Sequence, residues 1–204
     1  MKSLPLIFIC IAFVFSPNYT KAQNAVIKCP ENIIISAERG KEGAHVKLPE
    51  LKGELTGSVY TPASGSFFRL GSHSVIVTTP NGKKCSFTVM VTDNESPELS
   101  PLSLSRDKLW PASNKMKKVA VSYTATDNSG TVNTTISVKS NAHDGEKDWE
   151  IVNDRLIRLK ASRLADDKPR IYSITVTASD EAGNKTKRTT SIAVSKTMTA
   201  VANK

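Results

Sequence analysis

Two runs of alternating apolar and polar residues, at 75–79 and 85–91, dominate the first half of the chain. Alternation with a period of two is typical of a strand that is buried on one face. Asn81-Gly82 lies between the runs, and both residue types tolerate the positive φ that a tight turn requires. The pattern therefore predicts a β-hairpin.

Shorter runs with the same alternation extend over the rest of the chain, and no segment repeats apolar residues at helical spacing for three turns. Turn sequences rich in Gly, Asn and Asp separate the runs. Many short strands with regular turns are typical of β-sandwiches. The pattern predicts an all-β fold with strands at 25–29, 33–37, 45–48, 58–60, 119–123, 136–138, 149–151, 156–159, 172–178 and 192–194.

The alternation stops at Asp93-Asn94-Glu95-Ser96-Pro97. Proline cannot donate a hydrogen bond to a strand ladder, and it restricts the residue before it. We therefore predict a domain junction here, with a first domain at 23–96, a second at 97–196 and a polar tail at 197–204.

The first 22 residues have the features of a secretory signal. An apolar run at 4–15 follows Lys2, and the small residues around Thr20 and Ala22 suit a signal peptidase. The run is too short to span a bilayer. We predict a signal peptide at 1–22, an exported or cell-surface protein, and no transmembrane segment after cleavage. The alternatives are an uncleaved anchor and a lipoprotein modified at Cys10.

Two cysteines remain after cleavage, Cys29 and Cys85. An even pair in an exported chain predicts a disulfide. The closed loop of about 57 residues corresponds to roughly 4 kcal/mol of stabilisation in the chain-entropy model.

Three motifs connect these features in the first domain. They are Cys29-Pro30-Glu31-Asn32-Ile33, Phe68-x-x-Gly71 and Cys85-Ser86-Phe87-Thr88-Val89-x-Val91-x-Asp93-x-Glu95-x-Pro97. Together they resemble the hyalin repeat (HYR) module. That resemblance implies an immunoglobulin-like β-sandwich of the kind found in secreted and cell-surface proteins and associated with adhesion. Arg69 departs from the family, which often has Pro at this place.

The second domain has its own motifs, Leu109-Trp110-Pro111, Asp148-Trp149-Glu150-Ile151 and Arg170-Ile171-Tyr172-Ser173-Ile174-Thr175-Val176. They resemble an immunoglobulin-like module that accompanies HYR repeats in exported bacterial proteins. The two resemblances together imply two consecutive immunoglobulin-like β-sandwich domains, and the second adds no ligand.

The formal charge of +9 raises the question of an anionic partner. A basic surface favours nucleic acid, anionic glycans or acidic membranes. However, Arg158 and Lys160 alternate with Ile157 and Leu159, as on a strand with one solvated face. No aromatic residues interleave the basic ones to stack bases, so we predict no nucleic-acid binding.

No catalytic motif is present. His45, His73 and His143 lack metal-ligand spacing, and the sequence has no nucleophile elbow, phosphate loop or HExxH helix. We predict a protein that is not an enzyme. The alternative is a site whose residues come together only in the fold.

Oxygen-bearing residues at the predicted junction are the candidate for a calcium site. They are Asp93, Asn94 and Glu95, and calcium prefers several carboxylate and amide oxygens. We favour the alternative of solvated turn residues, because no twelve-residue calcium loop is present and alternating acids of an extended chain point to opposite sides. A second acidic group comprises Asp144, Glu146, Asp148 and Glu150. We predict no cofactor, and calcium is the one candidate ion.

Trp110 and Trp149 suit either a glycan-binding face or a buried sandwich core, and we favour the core. The leading hypothesis is therefore a non-enzymatic extracellular or cell-surface adhesion or scaffold protein that binds a protein partner. The alternative is a carbohydrate-binding accessory module that uses calcium.

Overall fold

The computed structural model describes residues 27–142 and 147–196. The chain forms two consecutive immunoglobulin-like β-sandwiches, and the described residues contain no α-helix. A 3₁₀ turn occurs at Gly53–Leu55. The predicted signal peptide at 1–22 and the tail at 197–204 lie outside the described residues.

The first sandwich combines a four-stranded sheet, in the order β1-β6-β5-β3, with a two-stranded sheet, β2-β4. β1 runs parallel to β6, and Ile33 is opposite Val89. The other pairs are antiparallel. The strands are β1 (Ile33–Ser36), β2 (Gly43–His45), β3 (Val59–Thr61), β4 (Phe67–Arg69), β5 (Gly71–Thr78) and β6 (Lys84–Thr92).

The predicted hairpin is β5–β6, and its turn is closed by a 2.9 Å hydrogen bond from Gly82 N–H to the Thr79 carbonyl. Gly82 has a φ of +80°, whereas Asn81 does not have a positive φ. Asn81 contributes through its side chain, whose Oδ1 accepts from the Thr79 hydroxyl. Glycine alone therefore provides the left-handed backbone here.

The core of the first sandwich is a cluster of ten buried side chains. Cys29 and Cys85 pack against it and form the predicted disulfide, with their Cα atoms 5.8 Å apart. The core residues are Ala44, Val46, Leu48, Leu55, Phe68, Val75, Val77, Phe87, Val89 and Val91.

Two predicted strands of this sandwich differ from the structure. The prediction at 25–29 is wrong for its described residues 27–29, which form no strand although Ile27 and Cys29 pack against the core. Pro30 follows them and cannot donate to a ladder. The strand predicted at 45–48 is instead Gly43–His45, and the Leu48 N–H donates to the Ser64 hydroxyl at 2.9 Å. In both segments, the alternation correctly indicated which side chains pack in or against the core, but not whether the backbone pairs in a sheet.

The second sandwich has two four-stranded sheets, β13-β14-β10-β8 and β12-β15-β16-β9, and a short pair β11-β7. Its core cluster has fifteen buried side chains. The strands are β7 (Glu98–Leu99), β8 (Ser103–Leu104), β9 (Lys108–Leu109), β10 (Met116–Ser122), β11 (Ala125–Thr126), β12 (Asn133–Ser140), β13 (Trp149–Asn153), β14 (Leu156–Lys160), β15 (Ile171–Ser179) and β16 (Lys185–Val194).

The two core clusters share no residue, and the predicted boundary between Ser96 and Pro97 falls between them. We keep the division into domains at 23–96 and 97–196 as a proposal that these clusters support. Below, "the joint" means the region where Asp93–Pro97 connects the two sandwiches.

Candidate metal site at the joint

Three aspartates converge at the joint, and each directly follows a strand. Asp93 follows β6, Asp127 follows β11 and Asp180 follows β15. One carboxylate oxygen of each lies within 4.8 Å of those of the other two. Asp180 is buried, with 6% of its surface exposed, and the other two are half-buried. We call these three residues the aspartate cluster.

Turn geometry holds Asp127 and Asp180 in place. Asp127 Oδ2 accepts from the Ser129 N–H at 2.8 Å and from the Ser129 hydroxyl at 2.5 Å. Asp180 accepts from Asn184 twice, from its N–H to Oδ1 and from its amide Nδ2 to Oδ2, both at 2.8 Å. Short polar side chains that bond their own turn in this way fix the carboxylates before any ligand arrives.

The cluster also connects the two sandwiches directly. Asn184 Nδ2 donates to the Asp93 carbonyl at 3.2 Å. Asn128 Nδ2 donates to the Lys41 carbonyl at 3.0 Å and is 3.3 Å from Asp93 Oδ1. Asparagines from two turns of the second sandwich therefore bind backbone of the first.

Negative charge in the cluster has no cationic partner among the described side chains. Lysines and arginines form ion pairs with other carboxylates, and the His45 ring bonds Glu38. At an effective dielectric constant of about 20, two charges 4.8 Å apart repel by about 3 kcal/mol. A bound cation would relieve this repulsion for all three carboxylates.

Two oxygen atoms at this place are shielded from water and have no hydrogen-bond donor: Asp93 Oδ2 and Asn128 Oδ1. Leaving a buried acceptor without a partner costs about 1–3 kcal/mol, and more for a charged group. The orientation of the Asn128 amide is fixed because both neighbours of its nitrogen are acceptors. Its unpartnered oxygen is therefore a consequence of the contacts across the joint.

The predicted metal residues divide between two environments. Asp93 belongs to the aspartate cluster. Asn94 Nδ2 instead donates to the Ser36 hydroxyl at 2.6 Å, and Glu95 Oε2 accepts from the Gly40 N–H at 2.7 Å. The structure thus places the side chains of Asn94 and Glu95 against the first sandwich. The assignment of a metal to this triplet remains a prediction.

Sequence reasoning missed Asp127, Asp180 and their asparagines. The signal was present, because Asp127-Asn128-Ser129-Gly130 and Asp180-Glu181-Ala182-Gly183-Asn184 are turns that each begin with Asp after a strand. Their meeting with Asp93 could not be read from spacing, since 34 and 87 residues separate them from it.

The second predicted acidic group holds no metal-like arrangement in its described members. Asp148 forms a buried ion pair with Arg170, and both side chains are 4% exposed. Glu150 is 3.1 Å from Arg158. Both carboxylates thus already have a cationic partner. Asp144 and Glu146 lie outside the described residues.

A cleft of about 490 Å³ opens beside the cluster at the joint. Glu95, Glu98 and Asp127 line it, together with Arg39 and Asn128. His45 and His73, the two described histidines, bond Glu38 and the Arg69 carbonyl instead. The cleft thus offers oxygen ligands and a cationic rim, and no described histidine for proton transfer.

A larger, open groove of about 670 Å³ lies on the first sandwich, between residues 28–33 and 47–55. Both positive and negative side chains line it, including Lys28, Glu31, Lys47 and Glu50. Among the described residues, no helix has the length and apolar character needed to cross a membrane.

No family model matches the chain, and no curated protein matches it. Similar solved structures include extracellular cadherin domains 1–4 of protocadherin gamma B7, at 10% identity, 79% of this chain, 47% of that chain and a TM-score of 0.33. The N-terminal eight immunoglobulin domains of Down syndrome cell adhesion molecule are 13% identical, with 79% of this chain and 26% of that chain covered and a TM-score of 0.39. Drosophila N-cadherin EC1–3 is 14% identical, with 82% of this chain and 65% of that chain covered and a TM-score of 0.33.

The chain thus spans less than two thirds of each of these three structures. At this identity and TM-score, no residue role, ligand or partner is transferred from them to this chain.

Proposed function

We propose that this chain is an exported, non-enzymatic adhesion or scaffold protein that binds a protein partner through its HYR-type first sandwich. The disulfide supports an oxidising compartment, since such bonds persist outside the cytosol. The signal peptide predicted at 1–22 supports the same location.

The outer face of sheet β1-β6-β5-β3 carries this proposal. The strand register places four exposed apolar side chains on it: Ile34 at 74%, Val59 at 60%, Met90 at 40% and Ile76 at 38%. Ile34 lies directly opposite Met90. We call this surface the apolar face.

The rest of the apolar face is almost uncharged. Lys84, at the hairpin end, is its one charged residue, and the remaining positions are hydroxyl residues. Depletion of charge at the centre is a property of protein interfaces, and exposed apolar patches mark interaction sites. The hydroxyl positions are Ser36, Thr61, Ser72, Ser74, Thr78, Ser86, Thr88 and Thr92.

Free strand edges support a protein partner of extended conformation. β1 and β3 are the two edges of this sheet, and they carry the two most exposed apolar residues, Ile34 and Val59. Edge strands in natural proteins are commonly protected by a charged residue or a proline. Neither β1 nor β3 contains a charged residue or a proline. An added strand would satisfy backbone groups at such an edge.

The glycan alternative has less support. Glycan-binding faces need exposed aromatic rings, and among the described aromatic residues Phe67 is the most exposed, at 41%. Its ring makes an edge contact with His45, at 5.1 Å between centroids. Trp149 packs against the second core, and Trp110 is half-buried.

The test uses residues 23–204 and two matched lysine substitutions. Ile76→Lys places a charge on an inner strand of the apolar face. Ser191→Lys does the same on an inner strand of the second sandwich. A protein captured from the surface fraction of the source cells would be purified and titrated against each variant.

We expect Ile76→Lys to weaken its binding at least tenfold and Ser191→Lys to leave it unchanged. Equal affinities for both variants would contradict the proposal. Binding on a glycan array without any protein ligand would favour the carbohydrate alternative.

A further inference from the structure

We propose that the aspartate cluster, with Asn128, binds one calcium ion that fixes the orientation of the two sandwiches. This site differs from the predicted triplet Asp93, Asn94 and Glu95, since it takes two of its carboxylates from turns of the second sandwich. It does not depend on protein binding at the apolar face.

The convergence of three carboxylates is the first observation, and the unpartnered oxygens are the second. Asp93 Oδ2 and Asn128 Oδ1 are both buried and receive no hydrogen bond. The Asn128 amide nitrogen is 3.3 Å from Asp93 Oδ1, so the unpartnered oxygen of that amide is a further candidate ligand. A cation bound between the three carboxylates would give a positive partner to Asp93, whose Oδ2 receives no hydrogen bond.

The donor set favours a hard cation. Every candidate ligand atom is a carboxylate or amide oxygen, and calcium takes about 6–8 oxygen ligands at ~2.3–2.6 Å. Two ligands of one such ion can be at most about 4.6–5.2 Å apart, which is twice the bond length. The spacing within 4.8 Å satisfies that limit. Zinc prefers nitrogen and sulfur ligands, which the cluster does not offer.

Calcium suits the site better than magnesium for a geometric reason. The ligands come from three separate segments, and the turn hydrogen bonds already direct one oxygen of Asp127 and both of Asp180. Magnesium requires near-ideal octahedral geometry at ~2.0–2.1 Å, whereas calcium accepts irregular arrangements.

Binding would couple to domain orientation because the ligands belong to both sandwiches. Asp93 ends the last strand of the first, and Asp127 and Asp180 end strands of the second. Only the assembled joint brings all three within reach. A ligand that binds one arrangement better than others shifts the population towards it. Calcium would therefore narrow the range of angles at the joint.

The binding test is isothermal titration of calcium chloride into chelator-stripped protein, residues 23–204, with magnesium chloride as comparison. We expect one calcium per chain with a Kd of roughly 10⁻⁵–10⁻³ M and weaker magnesium binding. Asp127→Asn should weaken calcium binding at least tenfold. Glu98→Gln, a neighbouring acid on the same cleft but outside the cluster, should change it less than threefold.

The wild-type titration decides the proposal even if Asp127→Asn does not fold. Absence of calcium binding to wild type at millimolar concentration would overturn it. Equal weakening by Glu98→Gln would place the ion elsewhere, and magnesium binding of equal strength would overturn the assignment to calcium.

Orientation is measured separately, with spin labels at Ser74→Cys and Ser191→Cys, both exposed positions on different sandwiches. We expect a narrow distance distribution in calcium and a broader one in chelator, with Asp127→Asn broad in both. Identical wild-type distributions in calcium and chelator would overturn the effect on orientation, and this result is independent of any protein partner.

Discussion

The two sandwiches are stabilised by different devices. The first has ten core side chains and a disulfide, whereas the second has fifteen core side chains, no cysteine and a buried ion pair between Asp148 and Arg170. A small core gains from a cross-link that restricts its unfolded state. A larger core can contain a charged pair, provided that both charges remain satisfied. Two sandwiches of the same fold therefore differ in what destabilises them most: loss of the disulfide in the first, and loss of one member of the buried ion pair in the second.

The largest expected effect is in the second sandwich. Asp148→Ala leaves the Arg170 charge buried without its carboxylate, and removing one partner of a buried pair costs about 3–5 kcal/mol. Both tryptophans, Trp110 and Trp149, lie in this sandwich, so tryptophan emission during urea unfolding measures its stability.

Glu150→Ala is the matched control, because Glu150 pairs with Arg158 at the surface. Exposed pairs contribute about 0–1 kcal/mol. If Asp148→Ala destabilised the second sandwich no more than Glu150→Ala, the assigned role of the buried pair would be wrong.

The next effect is in the first sandwich. Replacing Cys29 and Cys85 by serine should remove about 4 kcal/mol from it and leave the second sandwich unchanged. Hydrogen exchange read by mass spectrometry separates the two, since peptides from 33–92 should lose protection and those from 116–194 should keep it. Reduction of the wild type with dithiothreitol should have the same regional effect. Equal loss of protection in both regions would show that the sandwiches unfold together.

A smaller effect compares one tyrosine in each sandwich. The Tyr172 hydroxyl is 2.8 Å from the Lys160 carbonyl and 3.1 Å from that of Asp148. Burial raises its pKa well above the usual tyrosine value of 10, so the hydroxyl remains a donor. Tyr172→Phe should therefore cost about 1–2 kcal/mol. Tyr60→Phe, which loses a more accessible bond to the Pro49 carbonyl, should cost less. Urea midpoints would measure both, and the reverse order would contradict the burial argument.

The smallest effect concerns pH. Hydrogen bonds from Lys41, from the His45 N–H and from the His45 ring, in that order, lower the pKa of Glu38 from its usual 4.5 to about 2. The unfolded chain therefore binds more protons than the folded chain between these values. This contribution is complete above about pH 4.5 and is lost as pH falls towards about 2.

Urea midpoints of the first sandwich at pH 5 and pH 2.5 would test this, since Glu38→Gln should reduce the difference between them. Glu54→Gln, in the 3₁₀ turn of the same sandwich, is the control and should leave the difference as in wild type. An equal difference in Glu38→Gln and wild type would contradict the assignment.

The fold was largely predictable because alternation fixes which face of a strand is buried. Alternation predicted the strands β5, β6, β10 and β15. The Asn-Gly turn also predicted that β5 pairs with β6. Partners at long range were not predictable. The parallel pairing of β1 with β6 joins Ile33 to Val89, and nothing in either segment specifies the other.

The same limit applies to the candidate site. Asp93 was predicted from its place in the chain, but Asp127 and Asp180 approach it only through the packing of the second sandwich. Asn94 and Glu95 looked equivalent to Asp93 in sequence, and successive side chains of an extended segment point in different directions. Spacing therefore located the segment and could not select the ligands.

The position of the disulfide has a mechanical consequence. Cys29 precedes β1, and Cys85 lies near the start of β6, whose end leads into the joint. Tension applied between the N-terminal segment and the second sandwich would pass from Cys29 to Cys85 and along β6. The 55 residues between the two cysteines are thereby excluded from extension. Under oxidising conditions, the first sandwich would act as a short tether of nearly constant length.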